Sequence, residues 1–565
     1  MPRRVSDLAA RLSPLAALPF IAALRLPGIE RDQPDVVLWF AAITAALCAR
    51  GVYAWASPAR APADRRSESR TVRVGRALAV AARFAPPVLV AFLFAGYSVA
   101  MSWLAIENHH ALRTRTFDLG FYDNIFYQTS HGRALGCSFL MGGTHLSGHF
   151  DPIFVVLSPL YLLHPRAELL LVLQSVWLGA GVVPVYLIAK RTLETASAGL
   201  VFAFLYVLYP ALHGVSLDEF HSLSLIVPIV LFALYFLMTG AHRAYFAAVS
   251  LALVCREDVA LLMCFVGLGA LAYGRRKWVR TGLLTIAFSA AYFVIVKKWI
   301  MPSGELLNGG AGSYGYEYIY RDLIPNGGGA RELVLSVLTN PVAVARLVWT
   351  PEKLRFVVEL LLPLGFLPLF ASRGRVMLIF GALYCLLASH FAVYSIHFHY
   401  ASVVFPIAFA LAPLGLRDVV GGRIGRGFGL DPARLRRAML AGVVVASVLL
   451  SVKLGAFVDN ASFRTATGPI ARSLSADERD DYAWVEDAAA KIPQGASVGV
   501  SNRLGPHVSN RERVFFYPNG PKTDYVFMSR PDLRADDLAR HDALVESGEL
   551  VSIAERGDMA LFSWR

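Results

Sequence analysis

A first group of residues that could do chemistry lies between Thr116 and Asn124, where two carboxylates, Asp118 and Asp123, stand five positions apart around Gly120. A carboxylate at a boundary between membrane and water is partly desolvated, which raises its basicity and suits a general base that acts on a hydroxyl. Aspartate is also a favoured helix cap, so a capping residue with a solvated neighbour is the alternative. We predict catalytic roles for both carboxylates.

A second group consists of three consecutive ionisable residues, Arg256, Glu257 and Asp258, between the apolar stretches 244–254 and 259–273. Charged residues within a membrane segment are costly and by default mark a functional site. The pattern predicts a broken helix pair whose tip faces a polar cavity, with Glu257 and Asp258 catalytic and Arg256 binding substrate. The alternative is an ion pair that only fastens helices together.

Histidines form the remaining clusters. His145 and His149 share i,i+4 spacing, but the surrounding glycines and Pro152 argue against one regular helix that holds both imidazoles, so zinc is not favoured. Each further cluster is by itself compatible with an ordinary polar loop, and only their convergence on one face favours a site. The residues predicted to bind substrate, besides Arg256, are His149, Glu219, His221, His397, His399 and Tyr400.

The elements that position these groups are transmembrane helices. The chain has 565 residues, of which 56% are hydrophobic and only 17% charged, with a mean hydropathy of +0.51. This composition excludes a disordered, collagen-like or coiled-coil protein and argues against a wholly soluble one. The five cysteines have no metal-binding or disulfide-framework spacing. The net charge of +13 resides mainly in loops, where arginines set topology and contact anionic lipid, so nucleic acid is not expected.

Thirteen apolar segments predict about thirteen crossings, and their loops give an orientation. Arginines concentrate in 57–83, 273–280 and 417–437. The positive-inside rule then places the N-terminus in the cytoplasm, and the loop 107–150 and the tail on the outer side. The segment 151–164 is too short to span and is predicted to be re-entrant or interfacial. The apolar segments are 13–27, 36–55, 84–106, 167–189, 196–211, 222–239, 244–254, 259–273, 280–300, 355–371, 376–394, 400–416 and 438–457.

Three regions follow from this pattern. We predict that 1–83 is an N-terminal extension with two helices and a basic cytoplasmic loop, and that 84–457 is the main transmembrane bundle with its outer catalytic loop 107–150. Residues 458–565 are richer in charge and predict a small extracytoplasmic α/β domain. Its predicted helix is Tyr482–Ile492, and its predicted strands are Ser497–Ser501, Val514–Tyr517, Tyr525–Met528, Leu550–Ala554 and Ala560–Ser563.

Four motifs resemble a family of bacterial multi-pass membrane proteins known as domain of unknown function 2079: F-D-L-G-F-Y-D-N, G-H-F-D-P-I, V-C-R-E-D-V and S-I-H-F-H-Y. The resemblance covers about 84–565. Where that family usually has H-F-S-P, this chain has Asp151 in place of the serine, so no role is carried over for the serine.

That family is in turn similar to the GT-C glycosyltransferases, which use polyprenyl-phosphate sugars at the outer membrane face. The similarity implies that Asp118 matches an acid that acts as base or binds a divalent ion in the first outer loop. It also implies a GT-C-like bundle. Magnesium or manganese on Asp118, Glu257 and Asp258 is the expected cofactor, because hard ions suit carboxylates.

The favoured function is therefore transfer of a sugar from a polyprenyl-phosphate donor at the outer face of the bacterial cytoplasmic membrane. The leaving phosphate needs positive charge, for which Arg256, His397, His399 or the ion are candidates. A transporter or flippase of a lipid-linked or sugar substrate is the alternative, since broken helices and buried charge fit transporters as well. A third hypothesis is that the protein is a non-catalytic assembly factor whose tail binds a partner.

Overall fold

The computed structural model describes residues 2–24, 33–56, 72–140, 143–303, 318–326, 329–427 and 429–565. Part of the arginine-rich loop 57–83, and the first glycine of the pair before Thr144, lie outside the described residues.

The described chain is predominantly helical, and seven of its helices are long and apolar enough to cross a membrane. An eighth candidate is the pair Ala196–Val207 and Pro210–Leu217, which is bent by 47°. The polytopic helical fold is thereby confirmed, although several of the thirteen predicted crossings correspond to shorter helices. The seven are Pro34–Trp55, Ala85–His110, Ala167–Leu193, Ser222–Thr239, Arg276–Ser303, Phe405–Gly427 and Pro432–Leu454.

Shorter helices fill the spaces between the long ones and carry much of the site. They are Pro2–Arg11, Leu18–Ala23, Phe121–Ser130, Ile153–Tyr161, His242–Leu253, Val259–Ala272, Gly329–Thr339, Pro341–Val348, Pro351–Leu361 and Ile379–Leu386. The break between His242–Leu253 and Val259–Ala272 lies where the sequence predicted a broken helix pair.

Two of the predicted crossings, 355–371 and 376–394, are not continuous helices. The helix Pro351–Leu361 is followed by three 3-10 segments, Leu362–Leu364, Leu367–Phe370 and Gly374–Leu378. Pro363 and Pro368 lack the amide hydrogens that an α-helix needs there. Phe366 lies between them with a φ of 55°, which ends any regular helix at this point.

The segment 151–164 does not span, as predicted. Its helix Ile153–Tyr161 has nine residues, about 14 Å at 1.5 Å per residue, against about 30 Å of hydrocarbon. The amide of Ile153 donates to the carbonyl of Val254 at 2.9 Å, which fastens this short helix to the end of His242–Leu253.

The strands of the C-terminal region are β1 Arg464–Thr465, β2 Gly468–Pro469, β3 Val498–Val500, β4 Val514–Phe516, β5 Tyr525–Ser529, β6 Leu550–Arg556 and β7 Met559–Trp564. Five of them form a sheet of order β4-β3-β5-β7-β6. Strand β3 is parallel to β4 and β5, whereas β7 is antiparallel to β5 and β6. All five predicted strands are present, and an additional two-stranded ribbon, β1 with β2, precedes them.

Two helices accompany this sheet. Ala476–Ala490, which includes most of the predicted helix, begins at a capping box formed by Ser475 and Glu478. Ala535–Glu546, which the sequence did not predict, packs on the opposite face of the sheet, where Val526 and Met528 form a separate apolar cluster with Leu544.

The sheet and its two helices, within residues 458–565, are called the sheet domain here. This domain contacts the loop 107–150 directly. Arg113 forms an ion pair with Glu478 at 2.9 Å, and the buried amide of Asn124 donates to the carbonyls of Ser509 and Arg511, each at 2.9 Å. These contacts confirm that the loop and the tail lie on one side of the bundle. That this side is the outer one remains a prediction.

Candidate functional site

Asp118 lies in a π-helical turn, Thr116–Gly120, just before the helix Phe121–Ser130. Turns of this type occur frequently at functional sites. Its side chain is 37% exposed, and its Oδ1 lies 3.4 Å from Nε2 of the buried His221. The turn thus presents a partly solvated carboxylate to a buried imidazole.

Glu219 holds this turn in place through hydrogen bonds with its backbone. It is buried and has a φ of 52°; its two carboxylate oxygens accept hydrogen bonds from the amides of Arg115 at 2.9 Å and Leu119 at 2.7 Å. Burial, followed by the negative charge of Asp118, raises the pKa of Glu219 well above its usual value. The sequence predicted a substrate-binding role for Glu219, and the structure engages its carboxylate with the protein backbone.

His221, His399 and Asp218 form a compact buried cluster. The two imidazole rings stack at 3.6 Å between centroids. Oδ2 of Asp218 accepts from the amide of His399 at 2.7 Å and contacts its Nδ1 at 2.8 Å, while Nδ1 of His221 contacts the carbonyl of Asp218 at 2.8 Å. The Asp218 carboxylate therefore orients one imidazole, and its carbonyl orients the other.

The surroundings shift the protonation of these groups in different directions. Burial raises the pKa of Asp218 and lowers the pKa of His399 well below its usual value. Burial also acts to lower the pKa of His221, but the hydrogen bond to Asp118 and the charge of Asp218 outweigh it, and the pKa of His221 is raised. A neutral and a cationic imidazole can thus stack without full charge repulsion.

Aromatic residues connect this cluster to the broken helix at 255–258. Tyr400 packs on His399 with 4.0 Å between ring centroids, and Tyr384 lies 6.4 Å from Tyr400. The hydroxyl of Tyr384 accepts from Nη2 of the buried Arg256 at 2.9 Å. Arg256 also donates to both oxygens of Asp258, with an Nε–Oδ1 distance of 2.8 Å.

His149 reaches the same broken helix from the other side. Its Nδ1 lies 3.0 Å from Oε1 of Glu257, whose Oε2 accepts the amide of Phe150 at 3.0 Å. The neighbouring His145 contacts the buried carboxylate of Asp151 at 3.0 Å. Asp151, the residue that departs from the family pattern, is thus part of the local structure of this loop.

Tyr122 lies between the histidine pair of His221 and His399 and the loop that contains His145 and His149. Its ring meets His221 edge to face at 5.7 Å and His145 at 5.8 Å. The structure consequently brings most of the predicted residues into one contiguous polar cluster: Asp118, His149, Glu219, His221, Arg256, Glu257, Asp258, His399 and Tyr400.

Of the other two predicted site residues, Asp123 has its hydrogen-bond partners outside the cluster, whereas His397 is near enough to Asp218 for their charges to interact. Asp123 is buried, and its oxygens accept from Tyr161 at 2.5 Å and from Ser509 of the sheet domain at 2.7 Å. His397 packs edge to face on Phe463 at 5.3 Å, and burial lowers its pKa to about 4. The structure thus gives Asp123 hydrogen-bond partners in the interior, and its predicted catalytic role has no geometric support.

The residues that could bind a metal ion in the structure differ from those that the sequence predicted. Among the described residues, one group of three could hold an ion: Asp218, His221 and His399 each offer a ligand atom, and these atoms lie within 4.8 Å of one another. In the predicted set of Asp118, Glu257 and Asp258, the last two carboxylates are already engaged by His149 and Arg256.

Sequence reasoning missed three residues of this cluster: Asp218, Tyr384 and Tyr122. A signal existed for Asp218, because it precedes Glu219 and stands three positions before His221. Tyr122 lies within the motif F-D-L-G-F-Y-D-N, from which only the two carboxylates were predicted. No comparable signal existed for Tyr384, since apolar helices commonly contain tyrosine near the membrane boundary.

Comparison with known proteins identifies the family to which this chain belongs. The profile of a family described as "Predicted membrane protein (DUF2079)" matches residues 108–542. No curated protein matches the chain. A crystal structure of ArnT from Cupriavidus metallidurans in the apo state is similar at 13% sequence identity and a TM-score of 0.44, over 84% of this chain and 97% of that one.

Proposed function

We propose a function for a chain that belongs to the DUF2079 family of predicted membrane proteins: it transfers a sugar from a polyprenyl-phosphate donor to an acceptor hydroxyl. One observation carries the proposal. Asp118 is a partly exposed carboxylate, 3.4 Å from an imidazole of a buried histidine pair. The other carboxylates of the cluster have at least two protein contacts each.

In the proposed reaction, Asp118 accepts the proton of the acceptor hydroxyl while the acceptor oxygen attacks the anomeric carbon of the sugar. The bond from that carbon to the phosphate oxygen breaks, and the electron pair leaves with the polyprenyl phosphate. His221 lies 3.4 Å from Asp118 and holds this carboxylate in position for the proton transfer.

Arg256 and His149 are the groups proposed to face the phosphate. Arg256 carries a permanent charge close enough to act on both His399 and Tyr122. The side chain of His149 is 33% exposed, although its Nδ1 contacts Glu257, so an edge of its ring remains accessible. Cationic donors preorganised in this way stabilise the negative charge that develops on a leaving phosphate.

A divalent cation fits the cluster by the chemistry of its donors. Nδ1 of neutral His399 donates to Asp218 at 2.8 Å, which leaves Nε2 with a free lone pair, the arrangement typical of metal-ligating histidine. We therefore propose Asp218, His221 and His399 as the residues that would hold it, with His221 in its neutral form. Two imidazoles among the donors favour zinc, or a similar transition metal such as cobalt, over magnesium or manganese. A bound ion would act as a Lewis acid toward phosphate oxygens.

We further propose that the site opens on the outer face of the bacterial cytoplasmic membrane. The arginine-rich loops support a cytoplasmic N-terminus and an extracytoplasmic sheet domain. The contact of the sheet domain with the turn of Asp118 supports the placement of the reaction on that same side.

A transfer assay on the full-length protein in lipid nanodiscs tests the proposal. Purified protein is incubated with a panel of radiolabelled polyprenyl-phosphate sugars and membrane-derived glycolipid acceptors, and release of polyprenyl phosphate is measured. Asp118→Asn preserves the shape of the residue but removes its basicity, so we expect a loss of at least about a hundredfold in kcat. Asp487→Asn, at an exposed carboxylate within the helix Ala476–Ala490, is the matched control and should retain wild-type activity.

Full activity of Asp118→Asn would refute the role of this residue as base. Translocation of a lipid-linked sugar across proteoliposomes, without any release of polyprenyl phosphate, would instead establish the transporter or flippase alternative.

A further inference from the structure

The turn that presents Asp118 is held between two parts of the protein that are far apart in sequence. On the bundle side, Glu219 accepts the amides of Arg115 and Leu119. On the other side, the sheet domain accepts the amide of Thr116 at the carbonyl of Asn502, 2.7 Å away. Amides in the first turn of a helix have no partner within the helix, so these acceptors determine where the turn lies.

The side chain of Thr116 strengthens the contact with the sheet domain. Its hydroxyl lies 3.0 Å from the carbonyl of Ser501 and 2.8 Å from that of Asn502. The side-chain oxygen of Asn502 is in addition 3.4 Å from the amide of Phe117, the residue immediately before Asp118.

The fit at this contact leaves no room for a side chain at Gly505. A Cβ added there would lie 1.9 Å from Oγ1 of Thr116, and 2.8 Å from its Cβ and Cγ2. At the other end of the turn, a Cβ at Gly120 would lie 3.2 Å from the backbone nitrogen of Pro506. The backbone of the sheet domain therefore lies directly against the turn.

Other contacts attach the sheet domain independently of Gly505. Arg113 pairs with Glu478, and Asn124 binds the carbonyls of Ser509 and Arg511. A change at Gly505 can therefore displace the turn of Asp118 while the domain remains attached.

We infer that the sheet domain is a positioning part of the active site: the contact of Gly505 and Asn502 with Thr116 fixes the Asp118 carboxylate toward His221. Gly505, Asn502 and Thr116 are positioning residues, because they act through the backbone of the turn. The inference rests on the proposed function for its kinetic consequence, but the geometry of the contact does not depend on it.

The test uses the full-length protein with Gly505→Ala, and Gly495→Ala as the matched control. Gly495 is in the same domain, and a Cβ there meets nothing within 4 Å. Hydrogen–deuterium exchange gives a readout that requires no substrate. We expect the peptide containing Thr116 to exchange at least about tenfold faster in Gly505→Ala, with the strands unchanged, because opening of the contact releases the Thr116 amide.

Steady-state kinetics with the polyprenyl-phosphate donor gives the second readout. A displacement of about 1 Å can cost about a hundredfold in rate, so kcat should fall by at least about tenfold in Gly505→Ala while the donor KM stays within about twofold. Thr116→Gly removes the three atoms nearest to the added Cβ. In combination with Gly505→Ala it should restore part of kcat, because it removes the clash that displaces the turn.

The outcomes separate the two proposals. Wild-type protein that releases no polyprenyl phosphate refutes the proposed function. An active wild type with unchanged kcat and unchanged exchange at Thr116 in Gly505→Ala refutes the inference alone, as does a double variant no more active than Gly505→Ala. Loss of folded protein in Gly505→Ala but not in the double variant would show that the contact serves folding rather than the position of the turn, and it would also refute the inference.

Discussion

The buried carboxyl of Asp123 makes the free energy of unfolding depend on pH, and its raised pKa gives the size of the effect. Its buried carboxyl joins Tyr161 of the bundle to Ser509 of the sheet domain. Burial raises the pKa of Asp123 to about 7 from a usual 3.8, although both hydroxyls act to lower it. When Asp123 is protonated, it can donate to Ser509, whose own hydrogen then turns to the carbonyl of Pro506 at 3.3 Å.

The sign follows from proton binding. Between pH 4 and pH 7 the folded protein holds a proton on Asp123 that the unfolded chain releases. The stabilisation is therefore complete below pH 4 and is lost progressively as the pH rises to and through 7. A difference of about three pKa units at 1.36 kcal/mol each amounts to about 4 kcal/mol. For a cooperative unit of this length, an entropy of about 2.1 cal/mol/K per residue converts this to roughly 1 °C per kcal/mol, or about 4 °C.

Asp123→Asn isolates this effect, because asparagine has the shape of the neutral acid and can donate to Ser509 at every pH. In the same detergent, we expect the thermal unfolding midpoint of the variant to exceed that of wild type by about 1–2 °C at pH 5 and by about 4 °C at pH 8. Parallel midpoint curves across this range would refute the reasoning, and so would a variant that is less stable at high pH.

Two further predictions concern the proposed metal site and the ion pair between Arg256 and Asp258. Wild-type protein should bind Co²⁺ in isothermal titration, and His399→Gln should weaken binding by more than about tenfold, whereas His131→Gln, at an exposed histidine, should not; no Co²⁺ binding by wild type would disprove the metal site. Arg256→Lys loses the bidentate contact with Asp258 and should lower stability by about 1–3 kcal/mol. Arg530→Lys, at an exposed bidentate pair, should cost less than about 1 kcal/mol in the same thermal assay; equal effects would contradict the buried pairing.

The sequence allowed the principal local features to be predicted, because each has a signature within a short segment. Charged residues at 256–258 between apolar stretches predicted the helix break, and the shortness of 151–164 predicted a segment that does not span. The five strands of the tail followed from short β-branched and aromatic runs. The interruptions around Phe366 were missed, because apolar composition indicates burial in lipid or protein but does not show whether a helix is continuous.

Contacts between distant segments could not be predicted in the same way. The motif around Asp118 indicates a reactive residue, but nothing in it shows that Thr116 requires a glycine almost four hundred positions later. One sequence gives no pairing between such positions; the requirement becomes visible only in the 1.9 Å separation at Gly505. The hydrogen bond from Ser509 to Asp123 could not be predicted for the same reason, since the two residues lie in different domains.

The cost of burying carboxylates explains why Asp118 differs from its neighbours. A buried charge must be compensated by donors, and a carboxylate so occupied is a poor base. Asp218 is occupied by His399, Glu219 by two amides, and Glu257 by His149 and an amide. Asp118 is the most exposed of these carboxylates, and its one ion-pair contact is 3.4 Å long. The protein therefore supplies enough partners to keep the others in place and leaves Asp118 the least compensated, as a group that must accept a proton from a substrate requires.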